Sequence, residues 1–142
     1  MCGIVGAIGY LDKNILESVK KMNKVQSHRG PDSHGFWTSI DIEKGYGSAL
    51  GHRRLAVIDL NKDANQPMID TLTGNTVVFN GEIYNYLELK SELESLGVMF
   101  RSHSDTEVVL LAYRQWGSDF VNRLRGMFAI AFYDKGIFYL MN

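Results

Sequence analysis

Ile4, Val5, Ala7 and Ile8 form a short apolar run punctuated by Gly3, Gly6 and Gly9, and residues 3–9 read as a buried strand. Ile15, Val19 and Met22 then recur at helical spacing between Asn14 and Gln26, with Asn14 and Glu17 placed as a capping box. SHRGPDSHG, which follows, has the residues of a loop. Two further strands are predicted at residues 47–60 (GSALGHRRLAVIDL) and 76–80 (TVVFN), separated by a loop that contains Pro67 and ends in the turn Thr73-Gly74-Asn75. A helix is expected over residues 86–96, where Leu89, Leu93 and Leu96 share a face between Asn85 as cap and Gly97 as stop. The capping box Ser104-Asp105-Thr106-Glu107 opens another, presenting Val108, Leu111, Ala112 and Gln115 before Gly117. A short helix is predicted for residues 119–125, and MFAIAFYD with IFYLM reads as a hairpin around Lys135-Gly136.

Strands and helices in this mixed, mainly antiparallel order make an α+β chain, and 142 residues suit a single domain. The hairpin is apolar and stands at the end of the sequence, so further strands are expected to cover it and the chain reads as C-terminally truncated. A composition of 45% apolar and 22% charged residues is that of a globular protein, and a net charge of -1 gives no electrostatic case for nucleic acid or an anionic membrane. The N-terminus has neither the basic nor the apolar region of a signal peptide, and no run approaches the roughly 20 apolar residues of a membrane span. The expected location is the cytoplasm.

Neither Gly3, Gly6 and Gly9 nor Gly45 and Gly47 make a dinucleotide fingerprint. His28, His34, His52 and His103 lack the i, i+4 spacing of a helical zinc motif, so no metal is expected. One cysteine forms no internal disulfide. Its position is what matters: once Met1 is removed, Cys2 carries both a thiol and an α-amine. A thiol with an ordinary pKa near about 8.5 is only slightly ionised at neutral pH, whereas an amine titrating near about 7.7–8.0 can take its proton. Taken alone, this placement is open between chance and catalysis.

MCGIVG, SHRGPDSHG, GHRRLAVID, FNGEIYNY and HSDTEVVLLAY occur in this order along the chain. Together they resemble the glutamine-hydrolysing domain of asparagine synthetases, a class II glutamine amidotransferase, and the likeness runs over essentially the whole of residues 1–142. Related amidotransferases share Cys-Gly-Ile and Ser-Asp-Thr-Glu but typically lack RGPD and NGEIYN, both present here. The resemblance implies an N-terminal-nucleophile hydrolase fold, an αββα sandwich of mainly antiparallel sheets. It implies Cys2 as nucleophile and Asn80 with Gly81 as oxyanion hole, although Asn-Gly by itself is a turn signal. Arg54 would meet the glutamine carboxylate and Asp105 its ammonium, with Leu55, Val57, Ile58 and Glu82 also at the substrate. His28, Arg29 and Asp32 would support the nucleophile structurally. The implied step is hydrolysis of L-glutamine without a cofactor, releasing ammonia to a C-terminal synthetase domain. That domain, absent from this sequence, would use ATP and magnesium to amidate aspartate or a related acceptor. A homodimer is compatible with the resemblance. The alternative is a catalytically silent glutamine-binding or structural remnant.

Overall fold

The computed structural model describes residues 2–41, 45–57 and 59–142. Gly3–Tyr10 (β1), Ser33–Asp41 (β2) and Tyr46–Arg54 (β3) form an antiparallel sheet in the order β1-β3-β2, with Gly3 opposite Arg53 and Ser33 opposite Arg54. Met68–Ile69 (β4), Thr76–Ile83 (β5), Gly126–Asp134 (β6) and Ile137–Met141 (β7) form a second antiparallel sheet in that order. Among the described residues three α-helices, Lys13–Val25 (α1), Tyr86–Ser95 (α2) and Asp105–Trp116 (α3), complete the layers.

The period-2 alternation of β3 decides how these layers stack. Ala49 turns outward to pack with Val5, Leu11 and Val19 beneath α1, whereas Leu50 turns inward against Val78 and Ala131 of the second sheet. On the far side Val77, Phe79, Ile130 and Phe132 meet Leu89 and Leu93 of α2 and Val108 to Ala112 of α3. The result is the expected αββα sandwich. Because α3 is covered by both the sheet and α2, residues 105 to 113 are buried all round, which makes the first turn of this helix an interior feature.

Several local expectations change. Helix α1 is capped by Asp12, whose Oδ1 accepts the Ile15 N–H at 2.8 Å, instead of by Asn14. Asp12 has the extended backbone a cap requires, while Glu17 pairs with Lys20 instead of reaching back to the helix start. Ile15 and Met22 are exposed; Leu16, Val19 and Asn23 form the inner face. Strand β3 stops at Arg54, six residues short of the predicted end, where its pairing with β1 and β2 runs out at Gly3 and Ser33; the Arg54 side chain then bonds the segment that follows. Only the last three residues of the loop-like SHRGPDSHG, Ser33 to Gly35, belong to strand β2, which lies at a sheet edge. Asn85 does not cap α2; its carboxamide instead ties Arg123 O and Arg125 N, joining the start of α2 to the start of β6. The short helix before β6 is 3-10 over Gly117–Arg123.

Ser104 caps α3 as expected, accepting the Glu107 N–H at 3.2 Å. Glu107 turns away from the reciprocal bond and accepts from the Arg101 and Ser102 amides and the Ser102 hydroxyl. The closing hairpin forms as predicted, turning through Lys135 at φ 45° and Gly136 at φ 90°, the left-handed pair of a tight hairpin turn.

Candidate active site

Cys2 and Leu55 stand at the same end of neighbouring strands, one preceding β1 and the other following β3. The Leu55 N–H points at Cys2 Sγ at 3.4 Å. Arg29 Nε donates to the Cys2 carbonyl at 3.1 Å, and Asp32 accepts the Ala56 N–H at 2.8 Å. These two residues of the RGPD segment therefore hold the thiol-bearing end and the segment after β3, which is the supporting part expected of them. His28 bonds through Nδ1 to the Val25 carbonyl within the turn after α1.

Arg54 is buried, and its guanidinium donates to the carbonyls of Asp59 and Asn61 and to Asn65 Oδ1. Among the described residues, three of the five N–H donors of a guanidinium thus brace the 59–65 loop. Asp59 pins the same loop to the α3 approach by accepting the His103 N–H at 2.8 Å. Backbone donors from Asn61 and His103 hold its carboxyl below the usual range.

The opposite wall is the edge of β5. Strand β4 covers only Thr76 and Val77, so from Val78 onward this edge is open. Amides alternate in direction along an antiparallel strand. Those of Phe79 and Ile83 turn away from β6 and donate to Gln66 Oε1 at 2.6 Å and Asp105 Oδ2 at 3.3 Å. Gly81 lies between them with the same parity, so its N–H faces the open edge. A Cβ at Gly81, where φ is 155°, would run into the Met127 carbonyl, so only glycine fits here. Asn80, on the face toward the first sheet, keeps a buried carboxamide oxygen without a partner among the described residues. This oxygen only accepts, so a partner for it would have to be an N–H or O–H donor.

Between these walls lies a cleft of about 310 Å³. Cys2, Arg54, Leu55, Val57, Asn80, Gly81, Glu82 and Asp105 all line it. Ile58, the remaining predicted substrate residue, lies outside the described residues. Burial raises the Asp105 carboxyl to about 6, against the lowering effect of the Ile83 and Thr106 amides. His52, fully buried beneath the cleft, is lowered to about 4 by burial; its Nε2–H donates to the Phe79 carbonyl at 3.1 Å.

The sequence reading left out Asp59, Ala64, Gln66, Phe79, Ser104, Thr106 and Met127, which also line the cleft. Ser104 and Thr106 flank Asp105 in a motif already visible, and Phe79 precedes Asn80. Gln66 had no such signal, since a glutamine before a loop proline is chemically unremarked.

A family model of the glutamine amidotransferase domain matches residues 1–140. The chain belongs to this family. It is 41% identical over 142 residues to asparagine synthetase [glutamine-hydrolyzing] 1 of Bacillus subtilis, covering 95% of this chain and 21% of that protein. A putative asparagine synthetase [glutamine-hydrolyzing] 2 of Methanocaldococcus jannaschii is 40% identical over 149 residues, covering 95% of this chain and 28% of its own length. The chain thus spans about a fifth to somewhat over a quarter of these relatives. Among solved structures, the glutamine phosphoribosylpyrophosphate amidotransferase of B. subtilis superposes with a TM-score of 0.71 at 21% identity, over 92% of this chain and 35% of that one. That likeness establishes the fold. Among the described residues, no helix is long and apolar enough to cross a membrane.

Proposed function

We propose that this amidotransferase domain hydrolyses L-glutamine to glutamate and ammonia, with Cys2 as nucleophile once Met1 has been removed. The observation that carries the reading is the convergence of a thiol, a guanidinium, an Asn-Gly pair on an open strand edge and a buried carboxylate on one cleft.

The Cys2 α-amine takes the thiol proton, and the sulfur forms a bond to the side-chain amide carbon. The carbonyl electron pair moves onto oxygen, where the Asn80 carboxamide and the Gly81 N–H stabilise it. Collapse breaks the C–N bond and releases ammonia, which takes its proton from the α-ammonium group. Water then attacks the glutamyl thioester, giving glutamate and regenerating the thiol. Arg54 receives the α-carboxylate through the donors it does not give to the loop; Asp105 and Glu82 receive the α-ammonium. Leu55 and Val57 form the adjacent wall. No cofactor enters this step.

The ammonia acceptor we propose is aspartate or a related acceptor, amidated with ATP and magnesium by a synthetase domain. The support is the pair of relatives that carry asparagine synthetase in their names and extend well beyond this chain's length. Intact-mass measurement of Met1 removal followed by a glutamate-release assay tests the glutaminase step. Glutamate released in proportion to the fraction lacking Met1 supports it. Glutamine binding without turnover in fully processed protein would favour the silent glutamine-binding alternative.

A further inference from the structure

We propose that Gln66 is a positioning residue that sets the oxyanion pair and the ammonium-binding helix in register with each other, an inference that rests on the glutaminase reading. Gln66 is buried, precedes Pro67 and belongs to no strand or helix. Its carboxamide oxygen accepts the Phe79 N–H at 2.6 Å, and its carboxamide nitrogen donates to Thr106 Oγ1 at 3.0 Å. Phe79 is the residue immediately before Asn80-Gly81, and Thr106 the residue immediately after Asp105. One side chain therefore links the two parts of the cleft that must act on opposite ends of the same substrate.

The need for this link follows from the sheet. Where β4 ends, β5 stays paired with β6 on one side and has no strand on the other, and that open edge is what leaves the Gly81 N–H facing the cleft. A continued β4 would occupy the Gly81 donor. Gln66 replaces the missing strand at one residue only, with its oxygen on Phe79 N–H, while His52 takes the Phe79 carbonyl from the other sheet. The Phe79 backbone is thereby clamped on both polar groups, and Asn80 and Gly81 leave it with their orientation set. A buried amide satisfied at both ends is rigid, and small displacements of donors from the developing oxyanion are costly: about 1 Å of misplacement can lower a rate about 100-fold.

A glutamine that served folding alone would lower stability on substitution and leave kinetics unchanged. In protein with Met1 removed, Gln66→Met, which keeps the volume and removes both bonds, is expected to lower kcat at least about tenfold and raise KM several-fold. Thr106→Val removes only the α3 side of the link and should raise KM more than it lowers kcat, with Thr106→Ser restoring both. Calorimetric glutamine binding compares Cys2→Ala with Cys2→Ala/Gln66→Met and reads the same link without chemistry; the second chain should bind about tenfold more weakly. Folded Gln66→Met with kcat and KM within twofold of wild type would overturn the proposal, as would equal affinities in the two Cys2→Ala chains. If Gln66→Met does not fold, Thr106→Val with a wild-type KM overturns it instead. An inactive wild type would count against the glutaminase function, whereas these ratios and affinities bear on Gln66.

Discussion

The Leu55 N–H approaches Cys2 Sγ at 3.4 Å, so the only thiol of the chain rests against the backbone that begins where β3 ends. With Arg29 holding the Cys2 carbonyl at 3.1 Å, the terminus is anchored on two sides and its first strand is paired throughout. A mobile terminus could not keep a nucleophile in place. The contacts that hold Cys2 come from Leu55 and Arg29, so retention of Met1 should remove the base without disturbing the fold. Protein shown by intact mass to keep Met1 is expected to release no glutamate above background while melting normally. Full activity in such protein would exclude the α-amine as base.

Arg54→Lys keeps a positive charge but cannot span the Asp59 and Asn61 carbonyls and Asn65 together. Two effects should follow: KM for glutamine rises about tenfold or more, and amides of residues 59–65 exchange faster with solvent. Kinetics and hydrogen exchange on the same sample check both. A raised KM with unchanged exchange would mean that the loop is held by Asp59 and His103 alone.

Asn80→Ala should leave glutamine binding within a few-fold and lower kcat by about 100-fold, because its donor is needed most when charge develops on the amide oxygen. Steady-state kinetics distinguish this from the Arg54 pattern. An Asn80→Ala chain changed only in KM would move Asn80 from oxyanion stabilisation to ground-state binding.

Particular residues show why part of this was legible and part was not. Ser104 could be recognised as a cap because its hydroxyl acts on an amide three residues away, and the hairpin at Lys135-Gly136 because its conformation is local. The Asn80-Gly81 dipeptide was also visible, but as a turn; its place inside a strand depends on β6 pairing from a region more than 40 residues later. Local chemistry also misled where two candidates competed, as with Asp12 over Asn14. Strand β3 ends at Arg54 because β1 and β2 begin opposite Arg53 and Arg54, and the periodicity of one strand contains no information about where its partners start. Gln66 is the extreme case: both its partners are distant in sequence, at Phe79 and Thr106, and its importance exists only in the folded chain.

Burial places the Asp105 carboxyl at about 6, so its ability to receive an ammonium group should switch on across that pH. Glutamine keeps its α-ammonium charge throughout this range. Affinity of the Cys2→Ala chain for glutamine is therefore expected to rise about tenfold per unit below pH 6 and to level off above it, while Asp105→Asn stays weak and flat. Using Cys2→Ala removes the thiol from the measurement. An affinity independent of pH between 5 and 7 would show that Asp105 does not carry the ammonium.

The same carboxyl and His52 should leave opposing marks on stability. Asp105 has a folded pKa raised from 3.8 to about 6, so the folded state binds the extra proton between those values and loses stability as pH rises through that window. His52 is lowered from 6.5 to about 4, so the unfolded state binds the extra proton and stability grows as pH rises over nearly the same range. Between pH 5 and 6 the two slopes nearly cancel, each being on the order of 1 kcal/mol per pH unit. Removing one should expose the other. Relative to wild type, Asp105→Asn is expected to gain about 1 kcal/mol of unfolding free energy between pH 5 and 6, and His52→Gln to lose about as much, measured by urea denaturation at each pH. His52→Gln can retain a donor to the Phe79 carbonyl, which separates the titration from the loss of that bond. If both variants tracked wild type across this interval, neither buried group would have the protonation assigned to it, and the cleft would be more hydrated than its burial implies.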